Sequence, residues 1–238
     1  MLLLLIMIDK FSEQSHRARL NWLRAGVLGA NDGIVSIAGL VVGVAGATHN
    51  LTVLATAGVA GLVAGALSMA AGEYISVSTQ RDAERAYIKQ EKKQLKKDPE
   101  GALQELADAY VERGLSEKTA LVVAKELSKK DALAAHLEVQ FGLEEDDLTN
   151  PWHAAVASAV SFTFGGLIPI AAILIPPHDW RVPIAFFAVI PALAITGYVS
   201  AKLSEANATR AVVRVICGGA LVMFITYAIG RVFNVSGL

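Results

Sequence analysis

The chain has 238 residues, of which 54% are hydrophobic and 18% charged, with a net charge of -1 and a mean hydropathy of +0.48. That is too apolar for an ordinary soluble domain and points to a membrane protein. Residues 79–149 alone hold 12 Lys/Arg and 16 Asp/Glu, so an apolar protein carries a charged insert, and the insert is not basic enough to serve nucleic acid.

The opening octet, MLLLLIMI, is apolar but too short to span and lacks the flanks of a signal peptide. It is expected to be an interfacial anchor or a product of the chosen start site. A membrane-spanning helix needs roughly 20 apolar residues. Five stretches meet or approach that length: 25–47, 51–77, 154–177, 182–201 and 211–230. They lack the alternation of barrel strands and are too long for them. The expected fold is therefore an all-α membrane protein with five transmembrane helices and a helical cytoplasmic insert between spans two and three. The corresponding domains are 1–24, 25–78, 79–149 and 150–238.

Basic residues set the orientation. Lys10, Arg17, Arg19 and Arg24 precede span one, and Lys202, Arg210 and Arg214 lie between spans four and five. The other side has Arg181 in a short loop and Arg231 near the end. The N-terminus and residues 79–149 are thus expected in the cytoplasm, with the two termini on opposite sides.

Span one contains one charge, Asp32, and span two one charge, Glu73. Asp32 lies about 12 Å along the helix from Arg24, at ~1.5 Å per residue. The two acids therefore share a similar depth near the cytoplasmic side of adjacent antiparallel helices. Ionisable groups at membrane depth are expensive and functional by default. The plainer alternatives are that Asp32 caps a helix break at Asn31-Asp32-Gly33 and that Glu73 sits at the interface.

Met69 precedes Glu73 by four residues, so both project from one helix face. A lone methionine is usually packing, yet a thioether beside two carboxylates suits a transition metal better than magnesium or calcium. Met69, Glu73, Ser76, Gln80, Glu84, Tyr87 and Glu91 continue at helical spacing as one polar line. A solvated helix face accounts for Glu84 and Glu91 but not for Glu73.

Nothing interrupts the helical pattern from Ser76 to Lys97, so span two is predicted to run on beyond the membrane. Asp98-Pro99-Glu100 then reads as a cap, a first-turn proline and a first-turn acid. That helix should stop at Gly114, and Ser116 should start the next. The stretch from Ser128 to Asp131 resembles a capping-box start, with closure at Gly142. EEDDLTNP leads into span three. Three to four short helices are expected.

Spans one and two are rich in Gly, Ala and Ser, a composition that lets helices approach closely within one chain or between two. Spans three and four carry Pro169, Pro191 and several hydroxyls, which either line a path or reflect ordinary membrane-helix composition. The single cysteine, Cys217, permits no internal disulfide or thiolate cluster. No nucleophile elbow, phosphate loop or HExxH occurs, and an enzyme is not expected.

The stretches LRAGVLGANDGIVSIAGLVVGVAGA, AGALSMAAGEYISVSTQRDAE, ELADAYVERGLS, KELSKKDALAAH and NPWHAAVASAVSFTFGGLIPI together resemble the vacuolar iron transporter family, in its order, from about Asn21 to the end. The resemblance implies a five-span homodimer that moves ferrous iron, often also manganese, out of the cytosol in exchange for protons. The metal is then substrate, and no cofactor is implied. It assigns Asp32 and Met69 to the translocation path and Glu73 to the acid of the GEY motif. In the insert, Glu91 and Glu105 match metal-binding acids. Gln94, Ala102 and Gln140 stand where acids are usual, and His136-Leu137 where methionines are. Asp108, His136 or Glu138 would have to compensate, leaving a weaker cytoplasmic site or a structural domain.

The expected function is a proton-coupled divalent-metal exporter in a bacterial inner (plasma) membrane, that location resting on the short N-terminus. Metal gathers near Glu91 and Glu105, follows the second-helix line, and binds between Asp32, Met69 and Glu73. Burial disfavours a charged carboxylate, so the acids can take up protons as metal leaves. A manganese-selective or broader divalent exporter is the alternative within transport. A membrane-anchored metal sensor or buffer is the alternative of another class.

Overall fold

The computed structural model describes residues 16–142 and 150–236. The regular structure of these residues is entirely helical, with no strand among them. In chain order the α-helices are α1 (His16–Ala47), α2 (Leu51–Lys97), α3 (Pro99–Glu112), α4 (Glu117–His136), α5 (Pro151–Leu174), α6 (Arg181–Leu203) and α7 (Ala208–Ser236). A π-helical turn, Leu137–Phe141, follows α4, and a 3-10 turn, His178–Trp180, precedes α6. Five helices are long and apolar enough to cross a membrane: Trp22–Ala47, Leu51–Lys97, Pro151–Leu174, His178–Leu203 and Ala208–Asn234. The expected octet anchor and most of the EEDDLTNP stretch lie outside the described residues.

The chain divides into two compact units, residues 1–18 with 76–150, and residues 19–75 with 151–238. Helix α2 runs unbroken for 47 residues and contributes to both. The spanning unit is held by a core of apolar side chains from α1, α2, α5, α6 and α7, including Ile34, Val41, Leu54, Phe162, Leu193 and Met223. Membrane helices gain little from hydrophobic exclusion among themselves, so close backbone approach carries their packing. The bare faces of Gly29 and Gly33 lie against the main chain of Ser158 and Phe162, and Gly165 lies against Ala30. These small residues on α1 thus pack within the chain. Gly72 on α2, by contrast, faces open space.

The smaller unit is built by local caps. The Asp98 side chain accepts from the Gly101 N–H, with proline in the first turn of α3. Gly114 takes a φ of 97° just past that helix, a conformation that strongly favours glycine. The Ser116 hydroxyl caps α4 by accepting from the Thr119 N–H. The break expected between Ser128 and Asp131 falls at Asp131, whose extended backbone (φ -163°, ψ 100°) interrupts α4. Its Oδ1 accepts from the Ala134 N–H at 2.9 Å, which restarts the helix. Gly142, left-handed at φ 60°, closes the π turn. Leu106, Ala107, Ala120, Ala124, Ala135 and Val139 form the core. Arg113 Nη2 donates to the Val139 carbonyl at 2.7 Å, and Tyr87 stacks on Phe141 with ring centroids 5.0 Å apart.

Candidate functional site

Helix α1 continues without a break through Asn31-Asp32-Gly33. Ser36 Oγ donates to the Asp32 carbonyl at 2.5 Å, the i−4 acceptor within the helix. Asp32 therefore does not cap a helix break. Its side chain is half-buried. Among the described residues, no hydrogen bond or ion pair engages its carboxylate.

The packing of α1 on α2 fixes the depth of the other two candidates. Gly61 abuts Leu40 and Ile37, and Gly58 abuts Val41. This register is antiparallel, so each step up α1 is a step down α2. Continued along both helices, it sets Met69 level with Asp32 and Glu73 one turn nearer the α1 N-terminus. Phe162 gives an independent marker, since its main chain meets Gly33 and its ring meets Gly65. Those glycines neighbour Asp32 in sequence and precede Met69 by one turn, respectively. Met69 is partly buried against the spanning core.

Glu73 is only 9% exposed, and its carboxylate too has no hydrogen bond or ion pair among the described residues. Burying a carboxylate without a donor is unfavourable, which marks Glu73 as a candidate functional group. Asp32 and Met69 thus share a level of the bundle, with Glu73 one turn away on the face of α2 that carries Met69. Among the described residues, no three of His, Cys, Asp and Glu form a ready cation cage. The set is open rather than closed.

The candidates outside the membrane segment are arranged differently. Glu91 Oε1 lies 2.9 Å from His136 Nδ1, both side chains being almost fully buried. Gln140 Nε2 lies 3.4 Å from the same ring nitrogen, while Glu91 Oε1 and His136 Nε2 are both buried without a hydrogen-bond partner, so the Glu91–His136 approach is at ion-pair distance but lacks hydrogen-bond geometry. Gln94 Nε2 donates to Glu105 Oε2 at 2.6 Å. Gln80 Nε2 donates to Glu84 Oε1 at 2.9 Å, and Gln104 Nε2 to Asp108 Oδ1 at 2.8 Å. Glu138 is exposed. Glu91 and His136 are brought together, whereas Glu84, Glu105 and Asp108 are each held by a glutamine.

Two polar features lie beyond the expected set. Thr196 Oγ1 donates to Leu193 O at 3.1 Å and lies 3.5 Å from Asn31 Oδ1, which links α6 to the residue beside Asp32. The Ser158 hydroxyl is wholly buried with no hydrogen-bond partner. Ser158 was one of several hydroxyls in span three, and nothing in its spacing singled it out. The Thr196–Asn31 contact joins residues 165 apart, and no local pattern encodes such a contact.

The chain is similar to known proteins along most of its length. The family model described as the VIT family matches residues 23–231. The chain is 41% identical over 235 residues to a vacuolar iron transporter of Acanthamoeba castellanii, covering 97% of this chain and 87% of that protein. It is 33% identical over 220 residues to vacuolar iron transporter homolog 2.1 of Arabidopsis thaliana, covering 92% and 84%. It is 36% identical over 222 residues to vacuolar iron transporter homolog 5 of Oryza sativa subsp. japonica, covering 93% and 85%.

Proposed function

The chain belongs to the VIT family, and from that premise we propose that this integral membrane protein exports ferrous iron, and manganese with it, from the cytosol in exchange for protons. Family membership supports metal-ion transport as the activity, and the relatives' names support iron as the cargo. The observation that supports the mechanism is the pair of unpartnered carboxylates on adjoining helices, Asp32 level with Met69 and Glu73 one turn away.

In this mechanism the divalent cation exchanges its water for carboxylate oxygens, with the Met69 thioether favouring a transition metal over the harder calcium and magnesium. When the metal leaves, the acids are again desolvated anions, and protonation from the far side restores neutrality. Metal out and protons in thus use the same oxygens.

Two carboxylates and one thioether do not close a coordination sphere. A second copy of the chain, as the family resemblance implies, would supply the remaining ligands. Helix α2 has room for it, since only 17% of its most apolar window is buried within the chain. The basic end of the bundle, with Arg24, Lys202 and Arg210, faces the cytosol in this reading.

Exposed Glu105, Asp108 and Glu138 offer negative charge to incoming cations. Glu91 and His136 are closed on each other, which weighs against a sensor or buffer whose working part is the insert. The test is ferrous uptake into proteoliposomes under an imposed pH gradient, with the folded Asp32→Ala variant expected to be inactive.

A further inference from the structure

At the basic end of the spanning unit, α1, α6 and α7 leave a cleft of about 530 Å³, within the range of small-molecule sites. Its composition is graded along its depth. Arg24 and Ser204 line its outer end, while Asn31 and Thr196 line it seven and eight residues further along α1 and α6. That is about 10–12 Å at ~1.5 Å per residue. The deep polar pair is already engaged, Thr196 with Leu193 and Asn31. Between the two levels the walls are apolar, with Val27, Leu28 and Val215 among them.

Arg24 is exposed, and no acidic side chain lines the cleft. Among the described residues Arg24 forms no ion pair, and the Ser200 and Ser204 hydroxyls form no hydrogen bond. An amphipathic cleft inside a membrane helix bundle, with a free guanidinium at its mouth and apolar walls beneath, has the charge and grading of a phospholipid. Basic pockets between membrane helices recognise anionic headgroups, and a guanidinium matches phosphate oxygens bidentately. A choline headgroup would need an acid or an aromatic cage, and neither lines this cleft.

We propose that the cleft between α1, α6 and α7 is a binding site for an anionic phospholipid. Its phosphate is held by Arg24 with the Ser200 and Ser204 hydroxyls, and an acyl chain lies along Val27, Leu28 and Val215. The site is separate from the metal ligands, as neither Asp32, Met69 nor Glu73 lines it. It stands or falls independently of the cargo.

The test is native mass spectrometry of the purified, delipidated full chain in detergent, titrated with phosphatidylglycerol or phosphatidylcholine of the same acyl chains. The expected result is at least a fivefold preference for phosphatidylglycerol. That preference is lost in Arg24→Gln and kept in Arg24→Lys, and the adduct is removed by Ser200→Trp, which fills the cleft. Circular dichroism of each variant confirms an intact helical fold. Soluble glycerol phosphate should not displace the lipid at equal concentration. Equal retention of both lipids, an unchanged preference in Arg24→Gln, persistence of the adduct in Ser200→Trp, or displacement by glycerol phosphate would each overturn the proposal.

Discussion

Glu91 Oε1 and His136 Nδ1 meet at 2.9 Å with side chains only 4% and 0% exposed, and this contact ties the far end of α2 to the end of α4. Removing one partner of such a pair leaves a buried polar or charged group alone, a loss of about 3–5 kcal/mol. Glu91→Ala and His136→Ala should each lower the thermal unfolding temperature of the detergent-solubilised chain markedly. The double variant Glu91→Leu/His136→Met should recover much of the loss, because apolar side chains of similar volume replace buried pairs at little net penalty. Additive losses in the double variant would show that packing, not the pair, is being measured.

The amides around this pair lead to a second expectation. Gln94 and Gln140 stand where relatives carry acids by the sequence resemblance, and here they contact Glu105 and His136. An amide donor occupies a carboxylate lone pair that a cation would need. Gln94→Glu with Gln140→Glu should convert the network into one that requires a cation or protons. Manganese should then raise the unfolding temperature well beyond its effect on the wild type. A ligand at 100 times its Kd stabilises by ~2.7 kcal/mol. A manganese response equal to that of the wild type would contradict this account of the network.

The fold was legible where it rests on local chemistry. The five apolar runs, the Asp98 and Ser116 caps and the stop at Gly114 need only neighbouring residues. The α4 interruption falls within the expected Ser128–Asp131 boundary, with Asp131 as the capping residue. Asp32, Glu73 and Met69 stand out as candidates in the sequence because an ion is conspicuous in an apolar run, and helical spacing aligns a neighbour with it. The closure of Glu91 on His136, the glutamine partner of Glu105 and the cleft above Asn31 were not legible there. Each depends on residues brought together from separate helices.

Gly33 and Gly72 differ sharply in surroundings. A methyl group at Gly33 would run into the Phe162 carbonyl, whereas at Gly72 it meets nothing within 4 Å. Gly33→Ala should destabilise by about 1–3 kcal/mol, as overpacking does. That corresponds to several degrees in Tm at roughly 2–4 °C per kcal/mol for a chain of this size. Gly72→Ala should leave Tm within about 2 °C. A large loss at Gly72 would locate a packing partner on that face of α2, which a crosslinking measurement would then identify.

Met69 tests the soft-ligand argument. Met69→Leu keeps volume and apolarity but removes sulfur, so the fold should persist. Ferrous transport should fall by at least about tenfold, equivalent to ~1.4 kcal/mol. Retained rates would reduce Met69 to packing against the spanning core.

The central claim, that Asp32 and Glu73 hold metal and proton by turns, is tested most directly by flux through proteoliposomes. Ferrous iron and manganese are supplied side by side, with and without a pH gradient. Wild-type protein should drive metal accumulation only with the gradient, with protons moving the other way. Asp32→Asn and Glu73→Gln, shown folded by their unfolding transitions, should abolish both fluxes together. Full gradient-driven metal flux through folded Asp32→Asn would contradict the account.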